Sequence, residues 1–181
     1  VYLFHRGSGT DSIMDCDGEN TILFDEGLKA GDIKAYRSNW NDLLLTFDGL
    51  EGRLNLKNYC ISEEARNFNL VFADGTIVKA TDANSPLRTI YGTDGSEYMT
   101  SIYTDGITKI GQDGDDQLVG SNGDDFLYGG KGNDRITGNG GDDVLDGGEG
   151  DDYLYGEAGN DTYIFKPGYG TDTIGDGKGT N

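Results

Sequence analysis

A nine-residue period constrains this chain more than any other feature of its sequence. Every period has glycine in its first and fourth places, aspartate in its sixth and an apolar or aromatic residue in its eighth. Disordered low-complexity sequence has no reason to keep such a phase, so the pattern predicts a repeated structural unit. Residues 111–164 divide without remainder into the six units GQDGDDQLV, GSNGDDFLY, GGKGNDRIT, GNGGDDVLD, GGEGDDYLY and GEAGNDTYI.

Within each unit the residue types indicate a turn followed by a short strand. Glycine enters the left-handed region of backbone dihedral angles freely, which suits a tight turn over the first six places. The last three places alternate outward, inward and outward, so that one side chain per unit is buried. Stacking such units gives an all-β parallel solenoid. Its core is expected to contain the eighth-place residues Leu118, Leu127, Ile136, Leu145, Leu154 and Tyr163.

The charge of the chain indicates that such a solenoid needs metal ions. The chain has 14 Lys and Arg against 33 Asp and Glu, a formal net charge of −19. One apolar side chain per unit contributes roughly 2 kcal/mol, whereas ordering each residue costs ~1–2 kcal/mol. Stacking brings aspartates to about 5 Å from each other, where they repel by on the order of 3 kcal/mol per pair. Calcium, which accepts many oxygen ligands, converts this repulsion into attraction.

The units resemble the G-G-x-G-x-D-x-U-x nonapeptides of the RTX (repeats-in-toxin) family of secreted bacterial proteins. The resemblance implies a right-handed parallel β-roll, a calcium-stabilised solenoid in which two nonapeptides make one coil. Calcium is then expected between neighbouring loops on the same edge of the roll. The implied sixth-place ligands form the pairs Asp116 with Asp134, Asp125 with Asp143, Asp134 with Asp152, and Asp143 with Asp161.

Two further sets of candidate ligands follow from the same resemblance. The carbonyl oxygens of the fourth-place glycines are expected to complete each calcium shell: Gly114, Gly123, Gly132, Gly141, Gly150 and Gly159. The fifth-place side chains are expected to face the adjacent loop as secondary ligands, with a solvated acidic rim as the alternative. These fifth-place residues are Asp115, Asp124, Asn133, Asp142, Asp151 and Asn160.

The chain begins much as it ends, because residues 1–20 share ten identities with residues 162–181. We therefore expect the chain to be a fragment of a tandem array of long repeats. Both segments keep the glycine, aspartate and apolar places after a two-residue insertion, which makes Asp172 and Asp11 further calcium-ligand candidates. Asp172 would pair with Asp152, whereas the partner of Asp11 would lie in an adjoining repeat.

Between the glycine-rich segments the composition becomes ordinary, and alternating apolar residues predict half-buried β-strands. This segment resembles the small β-rich domain associated with hemolysin-type calcium-binding repeats, and it would cover the open end of a roll. The expected organisation is terminal coils of an upstream roll at 1–24, a capping domain at 25–90 and an RTX β-roll at 91–181. Within that roll we expect regular nonapeptides at 111–164 and terminal coils at 165–181.

Two smaller features near the start allow alternatives. Residues 15–26, DCDGENTILFDE, place acids at EF-hand positions, but Asn20 stands where that loop needs glycine. A terminal coil of a roll is the preferred interpretation there. Cys16 and Cys60 are too few for a disulfide scaffold, and two unpaired thiols are favoured over a bridge.

The sequence favours a structural module over an enzyme. His5 is the sole histidine, no G-x-S-x-G motif occurs, and the His or Cys clusters that bind zinc are missing. A chain this acidic is not expected to bind nucleic acid or an anionic membrane surface. No apolar run approaches the ~20 residues that span a bilayer.

The resemblance implies several bound calcium ions, with neighbouring repeats of the same chain as packing partners. It also implies a secreted or surface protein of a Gram-negative bacterium, of toxin or adhesin type, exported unfolded by a type I system and folding on calcium outside. The rival hypothesis is an adhesive module that binds a host-surface or carbohydrate ligand. It rests on aromatic residues in outward strand places: Phe126, Tyr128, Tyr153 and Tyr155.

Overall fold

The structure is a computed structural model that describes residues 1–5, 7, 9–14, 19–37, 42–49, 51–57, 68–79, 85–101, 103–177 and 179. Within these residues the regular structure is β-strand, apart from two short 3-10 turns at Ala30–Asp32 and Pro86–Arg88. No helical segment in the described ranges is long and apolar enough to cross a membrane. The chain divides into two compact units, Val1–Thr89 and Ile90–Asn181.

The first unit contains two small sheets. Its strands are β1 (Tyr2–Phe4), β2 (Thr10–Ile13), β3 (Asn20–Phe24), β4 (Ile33–Arg37), β5 (Leu43–Phe47), β6 (Arg53–Leu56), β7 (Phe68–Val71) and β8 (Ile77–Lys79). Strands β1, β3 and β7 pair in parallel, and β8 runs antiparallel to β7. Strands β4, β5 and β6 form an antiparallel meander, and β2 pairs in parallel with β6.

A cluster of phenylalanines forms the core of the first unit. The rings of Phe24 and Phe72 stack at 4.9 Å between centroids, and Phe24 also meets Phe47 edge-on at 5.4 Å. Phe24 belongs to β3 and Phe47 to β5, so these contacts join the two sheets. The alternation of the middle segment explains the burial, because Leu43, Leu45 and Phe47 are buried while the residues between them are half-buried. The strands predicted for this segment are confirmed.

Strands β2 and β3, which lie within the first 24 residues, pair with strands of the middle segment. Strand β3 pairs with β7, and β2 pairs with β6. The boundaries proposed at residues 25 and 90 stay predictions. Residues 15–18 of the EF-hand alternative, and both Cys16 and Cys60, lie outside the described residues.

The second unit is a solenoid built from ten strands. These are β9 (Thr89–Tyr91), which begins at the boundary, β10 (Tyr98–Met99), β11 (Thr108–Asp113), β12 (Gln117–Val119), β13 (Phe126–Lys131), β14 (Arg135–Gly140), β15 (Val144–Glu149), β16 (Tyr153–Ala158), β17 (Thr162–Ile164) and β18 (Thr173–Gly175). Consecutive strands alternate between two sheets, ordered β10-β12-β14-β16-β18 and β9-β11-β13-β15-β17.

Parallel pairing sets the coil length of this solenoid. Leu118 pairs with Ile136 in one sheet and Leu127 pairs with Leu145 in the other, so each coil has 18 residues, two nonapeptides. Five of the predicted core residues are 0 % exposed: Leu118, Leu127, Ile136, Leu145 and Leu154. The predicted all-β roll is confirmed.

The two ends of the apolar ladder differ from its middle. Tyr163, the last predicted core residue, is only half-buried, and its hydroxyl oxygen accepts the Gly156 N–H at 3.0 Å. Beyond it Ile174 is 45 % exposed. At the opposite end Lys109 stands in the ladder position that pairs with Leu127.

Candidate metal centre

The sixth-place aspartates line the two edges of the roll. Three of them precede strands of one sheet and three precede strands of the other, because consecutive nonapeptides alternate between the sheets. The first row is Asp116, Asp134 and Asp152, and the second row is Asp125, Asp143 and Asp161. All six are buried, between 0 and 6 % exposed. Buried carboxylates require compensating partners, which makes these two rows the candidate metal centre.

One oxygen of each of these carboxylates bonds the backbone of the preceding coil. In four of them the Oδ1 atom accepts the N–H of the sixth-place aspartate 18 residues earlier, whereas Asp116 Oδ1 accepts the Glu97 N–H and Asp125 Oδ1 the Ile107 N–H. The bonds run from Asp116 to Asp134 at 2.8 Å, from Asp125 to Asp143 at 2.8 Å, from Asp134 to Asp152 at 2.7 Å and from Asp143 to Asp161 at 3.0 Å. The structure therefore brings together the four pairs that the sequence predicts as calcium ligands.

The second oxygen of most of these carboxylates has no hydrogen-bond donor. The Oδ2 atoms of Asp116, Asp134, Asp143 and Asp152 are buried, and no group of the described residues donates to them. An unsatisfied buried acceptor costs about 1–3 kcal/mol, and more when it is charged. These four oxygens therefore mark places where a cation fits.

The same burial changes the titration of these carboxyls. Loss of hydration raises the pKa of Asp116 from 3.8 to about 6, and raises the pKa of Asp134 and Asp143 to about 7. In each case a backbone N–H bond opposes the shift, and neighbouring acidic side chains add to it. Burial also raises the pKa of Asp152 and Asp161. Without a cation, burial therefore makes the ionised form of these carboxyls less favourable than it is in water.

The first-place glycines explain where a cation would sit. A β-carbon on Gly129 would lie within 3.0 Å of both Asp134 Oδ2 and the carbonyl oxygen of Gly147, closer than real β-carbons approach such atoms. The carboxylate oxygen and the next coil's carbonyl thus face one small space that only glycine leaves open. Carboxylate and carbonyl oxygens are the ligands that calcium prefers. A β-carbon on Gly111 would likewise lie within 3.0 Å of Asp116 Oδ2 and the Gly129 carbonyl oxygen. One on Gly138 would lie within 3.0 Å of Asp143 Oδ2 and the Gly156 carbonyl oxygen.

First-place carbonyls were not among the predicted ligands. The resemblance to RTX repeats implied the fourth-place carbonyls instead. Glycine fills the first place of all six units although no first-place glycine has a left-handed φ. Glycine is therefore not needed there for a turn, and this could have identified the first-place carbonyls as ligands.

The fourth-place glycines are needed because successive coils approach each other closely. Gly132 has a φ of 123°, and a β-carbon on it would lie within 3.0 Å of the Gly114 carbonyl oxygen. A β-carbon on Gly150 would likewise lie within 3.0 Å of the Gly132 carbonyl oxygen. Left-handed φ values recur at Gly114, Gly132, Gly141, Gly150 and Gly159, whereas Gly123 departs from the pattern. The fourth-place carbonyls face the neighbouring loop and remain candidate ligands.

The fifth-place side chains bond the coil that follows. They are exposed, and in four of them Oδ1 accepts the backbone N–H of the fifth-place residue one coil later. The bonds run from Asn133 to Asp115 at 2.7 Å, from Asp142 to Asp124 at 2.8 Å, from Asp151 to Asn133 at 2.9 Å and from Asn160 to Asp142 at 2.8 Å. Asp151 receives the Thr171 N–H at 2.8 Å. These side chains contact the adjacent loop, as expected, and also form an exposed rim.

The two candidates in the terminal segments have different surroundings. Asp172 is half-buried, and its Oδ1 accepts the Asp152 N–H at 3.0 Å, across the two-residue insertion. It therefore continues the row of Asp116, Asp134 and Asp152. Asp11 lies in the first unit on β2, where its register partner is Leu54. Its role as a ligand stays a prediction.

Side chains alone do not build a metal site here. Among the described residues, no group of three or more His, Cys, Asp or Glu side chains is arranged to hold a metal ion. An ion on either edge would draw part of its shell from backbone carbonyls. This requirement fits calcium, which binds backbone oxygens readily, better than zinc, which prefers His and Cys.

The outward aromatic residues do not form one platform. Phe126 and Tyr128 lie on β13, whereas Tyr153 and Tyr155 lie on β16 of the opposite sheet. Phe126 and Tyr153 are 48 % and 49 % exposed. Tyr155 is covered by the guanidinium of Arg135, 4.7 Å from the ring centroid. A sugar could therefore meet only one pair of rings on either face.

The nonapeptide repeats match a known family of repeats. A family model for the RTX calcium-binding nonapeptide repeat (4 copies) matches residues 110–145, 128–163 and 137–172. A search of curated proteins gave no significant match. Among solved structures, the extracellular lipase LipA from Serratia marcescens matches with 19% sequence identity and a TM-score of 0.32. The match covers 88% of this chain and 31% of the lipase chain, so the chain spans under a third of the lipase's length.

Proposed function

We propose that this chain, whose residues 110–172 are RTX calcium-binding nonapeptide repeats, is a structural module that folds on binding several calcium ions. The observation that carries the proposal is the set of buried Oδ2 atoms without a hydrogen-bond donor. They recur on both edges of the roll, each beside a first-place glycine. A single such atom would be a local defect, whereas a periodic row of them indicates a repeated ligand.

On each edge, carboxylate and backbone oxygens from two successive coils would bind one ion together. Asp134 offers Oδ2 to the space beside Gly129, while its Oδ1 keeps the Asp116 N–H. The Gly147 carbonyl reaches the same space from the next coil, so one ion would link two coils. A bound calcium ion supplies the positive charge that the buried carboxylates lack.

Calcium dependence suits a protein that is exported before it folds. The chain has a net charge of −19, and the sixth-place carboxylates are buried on folding. Where calcium is scarce, as in a cytosol, burying them is unfavourable and the roll stays open. Outside the cell, an ion that binds only the folded state stabilises it by mass action. We propose export by a type I system from a Gram-negative cell, as part of a toxin or adhesin.

The chain's role in this proposal is structural rather than catalytic. Its sole histidine, His5, is 66 % exposed and lies 3.3 Å from the Asp25 carboxylate. The carboxyls with raised pKa values are the sixth-place aspartates of the two rows. The raised values therefore recur with the repeat and do not single out one pair of carboxyls as a catalytic site. A catalytic activity of a larger parent protein would lie outside the roll.

Limited proteolysis tests the proposal on the intact chain. Lys131 and Arg135 are the only tryptic sites between residues 111 and 161, and both lie at strand ends in the middle of the roll. We expect rapid cleavage at both in chelator and protection in calcium, with cleavage followed by mass spectrometry. Magnesium and an unrelated substrate protein control for effects on the protease. Equal cleavage rates in calcium and in chelator would contradict the proposal.

A further inference from the structure

The loop that carries Asp125 differs from the loops that carry the other sixth-place aspartates. Its Oδ2 accepts the backbone N–H of Ser121, and its Oδ1 accepts the Ser121 hydroxyl at 3.0 Å and the Ile107 N–H at 2.6 Å. The Asp125 carboxylate is 0 % exposed, yet three donors satisfy it. The oxygen that lacks a donor at Asp116, Asp134, Asp143 and Asp152 is therefore occupied at Asp125.

The backbone of this coil also departs from the common form. The second-place residues Gln112, Gly130, Asn139, Gly148 and Glu157 have φ values between 76° and 125°. Ser121, in the same place, does not have a left-handed φ. This conformation directs the Ser121 N–H toward Asp125. The preceding carbonyl, that of Gly120, accepts the Asn139 side-chain N–H at 2.9 Å.

A positive charge lies inside the same end of the roll. Lys109 is 1 % exposed, and its Nζ donates to the carbonyl oxygens of Met99, at 3.0 Å, and Val119. Burial raises the pKa of Asp125, and this rise is opposed by the hydrogen bonds from Ser121 and Ile107 and, least, by the charge of Lys109.

The preceding loop on this edge has no aspartate in the place that corresponds to Asp125. Ile107 occupies the place, 18 residues before Asp125, where the other loops have their aspartate. It is buried, and only its backbone N–H contacts Asp125. Asp125 is thus the first carboxylate of its row, and hydrogen bonds within the chain already join its loop to the loop before it.

We infer that Ser121 replaces calcium at Asp125. The Ser121 N–H and hydroxyl supply the contacts that an ion would make, so the loop that carries Asp125 closes without an ion. This loop is then a metal-independent start for its edge of the roll, on which the calcium-dependent loops stack. This inference rests on the proposed function, because it separates one loop from others that require calcium.

Substitution of Ser121 by glycine tests the inference. Ser121→Gly removes the hydroxyl and lets the second place adopt the left-handed backbone of its counterparts, which frees Asp125 Oδ2. We expect one more bound calcium ion per chain than in the wild type, counted by native mass spectrometry and by calorimetric titration. Glu157→Gly is the matched control. Glu157 is also a second-place residue on this edge of the roll, but its backbone is already left-handed. Its calcium count is expected to equal that of the wild type.

The outcomes separate this inference from the proposed function. Equal calcium counts for Ser121→Gly and the wild type would overturn the inference while leaving calcium binding intact. A wild-type chain that binds no calcium would overturn the proposed function itself.

Hydrogen exchange of the wild type gives a second test that needs no variant. In chelator, the amides of Ile107 and Ser121 are expected to exchange at least tenfold more slowly than those of Asp134 and Asp143. If all four amides exchange at the same rate in chelator, the Asp125 loop does not close without calcium and the inference is wrong.

Discussion

The backbone N–H of Asp134 donates to Oδ1 of Asp152 at 2.7 Å, across one full coil of the roll. The same carboxylate has a second oxygen, buried and without a donor. One side chain thus serves two purposes, since Oδ1 ties the coils together and Oδ2 remains for a cation. Substitutions that keep one oxygen and change the other can separate these purposes.

Asp143→Asn separates the charge from the hydrogen bond. The amide oxygen of asparagine can still accept the Asp125 N–H, but the neutral side chain is a poorer calcium ligand. We expect the calcium midpoint of folding to rise about tenfold, which corresponds to about 1.4 kcal/mol. Asp142→Asn is the matched control, because the Asp142 side chain is exposed and its change should move the midpoint less than about twofold. A shift for Asp143→Asn no larger than that for Asp142→Asn would contradict the assignment of the sixth place as the main calcium ligand.

Alanine substitutions test the stacking order of the coils. Asp134 and Asp143 each have a sixth-place aspartate both one coil before and one coil after, whereas the residue before Asp116 in its row is Glu97. We therefore expect Asp134→Ala to raise the calcium midpoint more than Asp116→Ala, whereas Asp143→Ala should resemble Asp116→Ala because Ser121 already closes the Asp125 loop. Calcium titrations of the three variants, followed by circular dichroism, measure these midpoints. Identical midpoints would count against ions shared between successive coils.

A methyl group placed in the glycine cradle should block the ion directly. Gly129→Ala puts a β-carbon within 3.0 Å of Asp134 Oδ2 and the Gly147 carbonyl. We expect it to abolish or strongly weaken calcium-dependent folding, because the obstructing atoms include backbone that cannot move aside. Gly140→Ala is the control, since its nearest neighbour would lie at an ordinary 3.7 Å. Stability in saturating calcium, measured by denaturant unfolding, should fall for Gly129→Ala alone. Similar stability for the two variants would show that this space holds no ligand.

Acid should partly replace calcium. Folding raises the pKa of Asp134 and Asp143 from 3.8 to about 7 and that of Asp116 to about 6. The folded state therefore binds more protons than the unfolded state between about pH 4 and pH 7, and metal-free stability falls as pH rises through this window. Unfolding of the chelated chain at about pH 5 and about pH 8 should show greater stability at the lower value. The opposite order would mean that burial does not penalise these carboxylates.

The regular coils could be predicted from sequence because their period leaves little choice. A residue that recurs every nine places must occupy the same position in every unit, so burial of Leu127 and Leu145 followed from the pattern alone. The pairing of Asp152 with Asp172 was predictable too, since the two-residue insertion lengthens the spacing but keeps the phase. The middle strands followed from apolar alternation.

Other features depend on contacts that the period does not encode. Lys109 lies nine residues before Leu118, in phase with the core, but a charged side chain in an apolar place breaks the pattern that identifies the repeat. Its burial depends on the carbonyls of Met99 and Val119. Ser121 occupies a place that tolerates many residues, so only its hydrogen bonds reveal its effect on Asp125. The pairing of β3 with β7 joins segments far apart in sequence, and nothing local predicts it.

Far-UV circular dichroism of the chelated chain, titrated with calcium, tests calcium-dependent folding most directly. We predict a cooperative gain of β signal as calcium is added. Magnesium should not reproduce the gain, because it requires a tighter octahedral shell and gives up its water reluctantly. A chelated chain that already has its full β signal and binds no calcium would contradict calcium-dependent folding of the roll.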